Sequence, residues 1–303
     1  MIIPGGSGYL GLYLANYFSD KNWEVVILSR SVGKSAKNIR FVHWDGKNPG
    51  EWFKELDGAD VIVNLAGRTV NCRYTKKNKA EILNSRIDST KILGEAIAKC
   101  VHPPKLWINS SSATYYRDTR GDAPANDEYN GLSGNDFSMS VCQAWEKSFY
   151  DTQISASVRK IALRVSIVLG KNGGAMEPIL GLTRKFLGGT QGPGNQFISW
   201  VHIKDFVRTV EFLIEKTDLS GSINCAAPNP VINKEFMAKL RKILKISIGM
   251  PMPAWLLGFG AILIQTEPEL ILKSRKVISK KLEDAGFVFE YGIVEDAFKE
   301  IVG

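Results

Sequence analysis

Residues 5–11 read GGSGYLG and set Gly5, Gly8 and Gly11 three positions apart, with Gly6, Ser7, Tyr9 and Leu10 between them. Glycines at this spacing permit a tight turn. They let the backbone approach a pyrophosphate, which then rests on the amino end of the following helix. A second chemical signal lies at Ser29, Arg30 and Ser31, just after WEVVIL. A carboxylate here would hold a ribose 2′-hydroxyl and repel a 2′-phosphate. A guanidinium attracts that phosphate and can stack on adenine. A charge-assisted bond of this kind is worth roughly 1.5–3 kcal/mol, so NADP(H) is expected in preference to NAD(H). The alternative is a surface arginine that happens to follow a strand.

Further along, Tyr115 and Tyr116 follow the serine run at 110–112. Their phenols have proton-transfer chemistry, although loop tyrosines also pack on ligands without reacting. The Cys142 thiol could titrate nearer neutrality or be inert packing. Arg86 and Arg73 could clamp a carboxylate or phosphate of a substrate, or form salt bridges at a sheet edge. Trp200 and His202 alternate along a strand and share a face, which makes them candidates for substrate contact. A satisfied structural histidine is the competing reading. No carboxylate–histidine spacing accompanies it, so no metal is expected.

The elements needed to position these groups are legible as alternating units. A very short apolar run, Ile2 and Ile3, ends in Pro4, which cannot donate to a ladder; one or two residues are expected to precede it in the native chain. Then come LYLANYFSDKN at helical spacing, a second strand WEVVILSR, a third strand IRFVHWD, a fourth DVIVNLAG, a helix near 82–100 and a fifth strand KLWINSSSA. Repeated strand–helix units predict an α/β, Rossmann-type, doubly wound parallel sheet with ligands at the strand carboxyl ends. The buried strand VRKIALRVSIVLG carries Arg164 near its middle. Residues 1–170 and 199–227 are expected to form the NADP(H)-binding domain. Residues 171–198 and 228–303 are expected to form a smaller, mainly helical substrate or cap domain.

The 303 residues are 44% hydrophobic and 23% charged, with a formal net charge of +8, which is ordinary for a globular chain. The charge fits either a solvated basic surface or attraction to anionic ligands. No aromatic-interleaved basic strip points to nucleic acid. Cys72, Cys100, Cys142 and Cys225 lie far apart in the chain, as in a reducing compartment. No secretory signal precedes the glycine loop, and a cytoplasmic location is expected. The apolar run at 254–264 is too short to span a bilayer. It predicts a buried helix, a lid or a homodimer face.

The carriers GGSGYLG, Asp45, NLAG and SSSAT resemble the extended short-chain dehydrogenase/reductase superfamily. The segments NLAGRTVNCRYTKKNKAEILNSRIDST, VCQAWE, LRVSIVLGKNGGAMEPI, GPGNQFISWVHIKDF and KVISKKLEDAGFVFEY resemble its "epimerase family protein" group, across essentially the whole chain. That group includes plastid members discussed as division-related, and its carboxyl-terminal segment has no assigned function. The resemblance implies that Asp45 contacts the adenine amino group. It also implies that Asn64, Leu65, Ala66 and Gly67 line the cofactor, and that Ser112 hydrogen-bonds the substrate oxygen. Ser110 and Arg164 are expected among the cofactor contacts, and Arg86 stands where the superfamily has an asparagine. The superfamily's Tyr-x-x-x-Lys pair has no counterpart. With Glu146 as anchor, Ser138 and Cys142 occupy its positions; shifted by one they are Phe137 and Val141. Two functions therefore stay open. One is an NADP(H)-dependent oxidoreductase or epimerase-like enzyme acting on a small carbonyl, hydroxyl or nucleotide-sugar-like substrate, with an unusual proton donor. The other is a non-catalytic NADP(H)-binding sensor or partner-binding protein.

Overall fold

The computed structural model describes residues 1–31, 33–256 and 267–303. Seven parallel strands form the central sheet: β1 (Ile2–Pro4), β2 (Val25–Ser29), β3 (Ile39–His43), β4 (Val61–Asn64), β5 (Leu106–Ser112), β6 (Arg159–Val165) and, after three short strands, β10 (Gly221–Cys225). Their order is β10-β6-β5-β4-β1-β2-β3. The chain runs outward from β1 to β3, then restarts on the other side at β4. This reversal beside β1 is where a doubly wound sheet opens a crevice at its strand carboxyl ends.

Both faces of the sheet are covered, so successive residues of one strand enter different cores. Ile3, Val25, Ile27, Val63 and Ile108 pack on helices α1 (Tyr9–Asp20) and, later in the chain, 203–215. Ile2, Val26, Leu28, Ile62 and Trp107 pack on α2 (Lys76–Ala98) and α3 (Phe137–Tyr150). Helix α1 buries Gly11, Leu14, Ala15, Phe18 and Ser19, the one-face spacing of an amphipathic helix. Thr75 caps α2 by accepting from the Asn78 N–H at 3.2 Å, and Asp136 caps α3 by accepting from the Met139 N–H at 3.0 Å. Pro4 fits at the end of β1 because its carbonyl accepts from Leu65 N–H at 2.8 Å, while Gly5 resumes donation to Leu28.

The remaining elements are β7 (Ile167–Leu169), α4 (Met176–Arg184), β8 (Phe197–Ile198), β9 (Trp200–His202), α5 (Ile203–Glu215), β11 (Val231–Ile232), α6 (Asn233–Ile243), α7 (Glu269–Leu272), α8 (Lys280–Asp284) and α9 (Val294–Val302). A third core joins α4, α6 and α9 through Met176, Phe236, Leu240 and Phe298, and takes in Leu169, Trp200 and Ala227. Residues 254–256 are helical; the rest of the apolar segment expected as a lid or dimer face lies outside the described residues. Among the described residues no helix is long and apolar enough to cross a membrane.

Candidate functional site

The glycine turn is built by close packing. Gly5 has φ +74°, and a Cβ on it would lie 2.7 Å from the Ala66 backbone. A Cβ on Gly11 would lie 2.4 Å from Gly6 Cα, so only glycine lets α1 seat this closely on the turn. Gly8 caps the helix without a side-chain bond, and a Cβ there would touch only Gly5 O, at 3.8 Å. The amino end of α1 therefore opens onto free space, with its N–H groups available to an anion.

That opening joins two clefts. Gly5, Gly8, Leu65, Ala66 and Gly67 wall both. On one side a cleft of about 570 Å³ is lined by Ser7, Ser29, Arg30, Asp45 and Lys47. Arg30 is exposed at its rim. Asp45 turns its carboxylate onto its own turn, accepting from Lys47 N and Asn48 N at 2.9 Å each and from Asn48 Nδ2 at 2.6 Å. These bonds, chiefly those from Asn48 and Lys47, hold its pKa down at about 2.

Beyond the glycine turn the cleft widens to about 640 Å³ between the strand ends and α3. Tyr9, Leu10, Gly11, Arg86, Ser110, Ser112 and Cys142 wall it, together with Tyr74, Phe137 and Ser138. Ser112 Oγ donates to Thr114 Oγ1 at 3.0 Å and caps the short turn after β5. The Arg86 Nη1 donates to the carbonyls of Arg68 and Ile82 at 3.1 and 2.9 Å, and its guanidinium lies over the Trp145 ring at 5.1 Å. Among the described residues no carboxylate pairs with it, and burial lowers its pKa. Asn64 is buried behind the wall, where its Nδ2 donates to Asn109 Oδ1 at 2.7 Å and its Oδ1 holds Ala66 N–H at 3.0 Å. It fixes the crossing loop rather than facing the cleft. Gly6 is likewise buried, against Ile3.

Several candidate residues sit elsewhere. Arg164 is buried in a bidentate pair with Glu146, at 2.8 and 2.7 Å, and donates to Tyr116 Oη at 2.8 Å. Burial alone would lower its pKa, but Glu146 raises it strongly. Tyr116 is fully buried, donates to Asn224 Oδ1 at 2.9 Å, and has its pKa pushed up to about 12 by burial. The Tyr115 ring is stacked under the Arg164 guanidinium at 3.6 Å. All three belong to the packing behind β5 and β6, outside the cleft lining. Cys142 does reach the cleft wall, but burial pushes its thiol up to about 12, so it is not a thiolate at neutral pH.

Trp200 and His202 are both fully buried, away from the cleft. Trp200 Nε1 donates to Asn229 O at 3.0 Å. His202 Nδ1 caps α5 by accepting from Lys204 N–H at 3.4 Å, its Nε2 faces Glu300 at 3.1 Å, and its ring lies 3.9 Å from that of Tyr291. The expectation of substrate contact therefore gives way to packing on the carboxyl-terminal residues. Alternation showed that the two residues share a face, but not what covers it.

The NAD dependent epimerase/dehydratase family matches residues 1–226. The chain belongs to this family. A second family, a domain of unknown function (DUF1731), matches residues 252–301. The chain is 31% identical to epimerase family protein YfhF of Bacillus subtilis (strain 168), over 99% of this chain and 97% of that one. It is 28% identical to human epimerase family protein SDR39U1, over 100% and 99%. A crystal structure of that human protein (isoform 2) with NADPH superimposes with a TM-score of 0.86 at 28% identity, covering 99% and 98%. UDP-N-acetylglucosamine 4-epimerase from Bacillus cereus shares the fold alone, at 18% identity and a TM-score of 0.75.

The family's fold binds NAD(P), and the open amino end of α1 and the paired clefts fit such a dinucleotide. The glycine turn and α1 would take the pyrophosphate, and the narrower cleft the adenosine end. Tyr74, Arg68 and Lys47 also wall the site, yet the sequence reading passed over them. The available signal was position: Arg68 and Tyr74 lie on the loop after β4, at a strand carboxyl end beside the crevice.

Proposed function

We propose that the chain is an NADP(H)-dependent oxidoreductase of the epimerase/dehydratase type, acting on a small carbonyl or hydroxyl compound in the wider cleft. The observation that carries this reading is the charge at the narrow cleft. Arg30 stands at its rim with Lys47, while both carboxylates of the wall are engaged, Asp45 by its own turn and Glu81 in an ion pair with Arg68. Such a rim accepts a 2′-phosphate, and the bound NADPH of the human relative agrees with it. Ser112, on the wall of the wider cleft, is placed to polarise a substrate oxygen.

Calorimetric titration with NADPH and NADH tests the cofactor. The expected result is tighter NADPH binding that weakens roughly ten- to hundredfold in Arg30→Ala, with NADH little changed. Equal binding of both nucleotides by the wild type would remove the preference. A second reading, a non-catalytic NADP(H) sensor, draws on Ser138 and Cys142 standing where the resemblance places tyrosine and lysine. It predicts a cofactor-dependent change in oligomer or partner affinity without any turnover of NADPH.

A further inference from the structure

Reduction of a carbonyl by hydride from a reduced nicotinamide leaves an electron pair on the substrate oxygen, which must then take a proton. Among the described residues two phenols reach the wall of the wider cleft, Tyr9 and Tyr74. Tyr9 is committed elsewhere: its hydroxyl donates to Lys171 O at 3.0 Å, and a Cβ on Gly170 would lie 2.4 Å from the Tyr9 hydroxyl oxygen. Ser112 and Thr114 carry aliphatic hydroxyls, too basic in their ionised form to act as proton donors without strong activation. Cys142 is a buried thiol.

Tyr74 is held differently. It sits one residue before the Thr75 cap of α2, half-buried. Its backbone N–H donates to Glu267 Oε1 at 2.6 Å, and its ring stands edge-on to Phe137 at 5.0 Å between centroids. Burial raises the Tyr74 pKa above its ordinary value, which keeps the phenol protonated; the Ser138 hydroxyl works against that rise and donates to Glu269 Oε1 at 2.6 Å. Lys273 binds both Glu269 and Asp136. Arg86 and Cys142 stand on the same cleft wall as Tyr74.

Resting on the reading above, we propose that Tyr74 is the proton donor of this cleft, supplied from the β4–α2 loop, with Arg86 as the cation that stabilises its phenolate and Ser138–Glu269 as its route for reprotonation. In the forward direction the Tyr74 O–H bond breaks as the proton moves to the substrate oxygen. The carbonyl becomes an alcohol, the reduced nicotinamide becomes oxidised, and one proton taken up from solvent returns to Tyr74 through the Ser138 hydroxyl. The carboxyl-terminal segment thereby gains a task. Its Glu267 fixes the Tyr74 backbone and its Glu269 fixes Ser138.

Burial, Glu269, Cys72 and Glu267 raise the phenol's pKa and Ser138 lowers it, while Arg86 shares its cleft wall. Two readouts test the assignment. In NADP⁺-saturated protein labelled with ¹³Cζ-tyrosine, the Tyr74 resonance, assigned by its loss in Tyr74→Phe, should titrate about one to three pH units lower in wild type than in Arg86→Met. In NADPH-dependent reduction of 9,10-phenanthrenequinone, Tyr74→Phe should lower kcat roughly 10²- to 10⁴-fold. Its NADPH Kd and melting temperature should stay at wild-type values, because the ring and its contact with Phe137 remain. Ser138→Ala should lose less. An unshifted Tyr74 titration in Arg86→Met, undiminished turnover in Tyr74→Phe, or no quinone reduction by wild type that binds NADPH would each overturn the assignment. Failure of wild type to bind NADPH would overturn the cofactor reading beneath it instead.

Discussion

The fold contains two arginine–tyrosine pairs that look alike in composition and differ in partner. Arg164 touches Tyr116 Oη at 2.8 Å and has Glu146 on its other two nitrogens. Arg86 lies on the cleft wall with Tyr74, held among the described residues by main-chain carbonyls and the Trp145 ring. The first guanidinium is neutralised and satisfied on every side, so it organises β5, β6 and β10. The second keeps its charge for whatever enters the cleft. A carboxylate partner, rather than burial or residue type, separates the structural pair from the reactive one.

Removing that carboxylate should have the largest effect. Glu146→Ala leaves Arg164 buried without a counter-charge, and the loss should be about 3–5 kcal/mol, read as a lower urea midpoint. If the variant is as stable as wild type, the Arg164 pair is not the anchor described here. A smaller effect is expected at the shared tyrosine. Tyr116→Phe takes a partner from Arg164 and from Asn224, which should cost roughly 1–3 kcal/mol while NADPH affinity, followed by nicotinamide fluorescence, stays unchanged. A loss of nucleotide affinity there would blur the distinction between the two pairs.

The weakest effect lies outside both pairs, in the contact between β9 and the carboxyl terminus. Burial holds the His202 imidazole below its ordinary 6.5, against the pull of Glu300. The folded chain therefore binds fewer protons than the unfolded chain once pH falls below 6.5. Stability should drop with acidification through 6.5 down to the lowered pKa, and the His202 contribution fades as pH rises about one unit above 6.5. In His202→Gln the slope of melting temperature against pH between 6.5 and 5 should flatten. An unchanged slope would assign the acid sensitivity to other groups.

Much of this was legible in the chain itself. GGSGYLG fixed a strand–turn–helix, because glycine spacing is a local constraint. Arg30 after the second strand is local too, and the structure sets it on the narrow cleft. The strands could be read from their apolar runs, and their two-faced burial follows from helices on both sides. What escaped was long-range. Arg164 and Glu146 are 18 residues apart, and Ser138 and Glu269 are 131 apart. Nothing in local spacing brings either pair together. Tyr116 and Tyr74 carry the same phenol; the side of the strand end that each occupies is a tertiary fact. The loop after β4 was read as a cofactor wall, and the tyrosine at its far end was overlooked.

The third core has a consequence for how this protein can be inherited. Family boundaries divide the chain between residues 226 and 252, as if two genetic modules had been joined. The packing is not divisible in that way. Cutting there would strip cover from Leu169, Met176 and Trp200. It would also leave the wholly buried Asp205 without the Glu290 and Tyr291 N–H groups that it accepts from at 2.9 and 2.8 Å. The Bacillus and human relatives align with this chain across both segments.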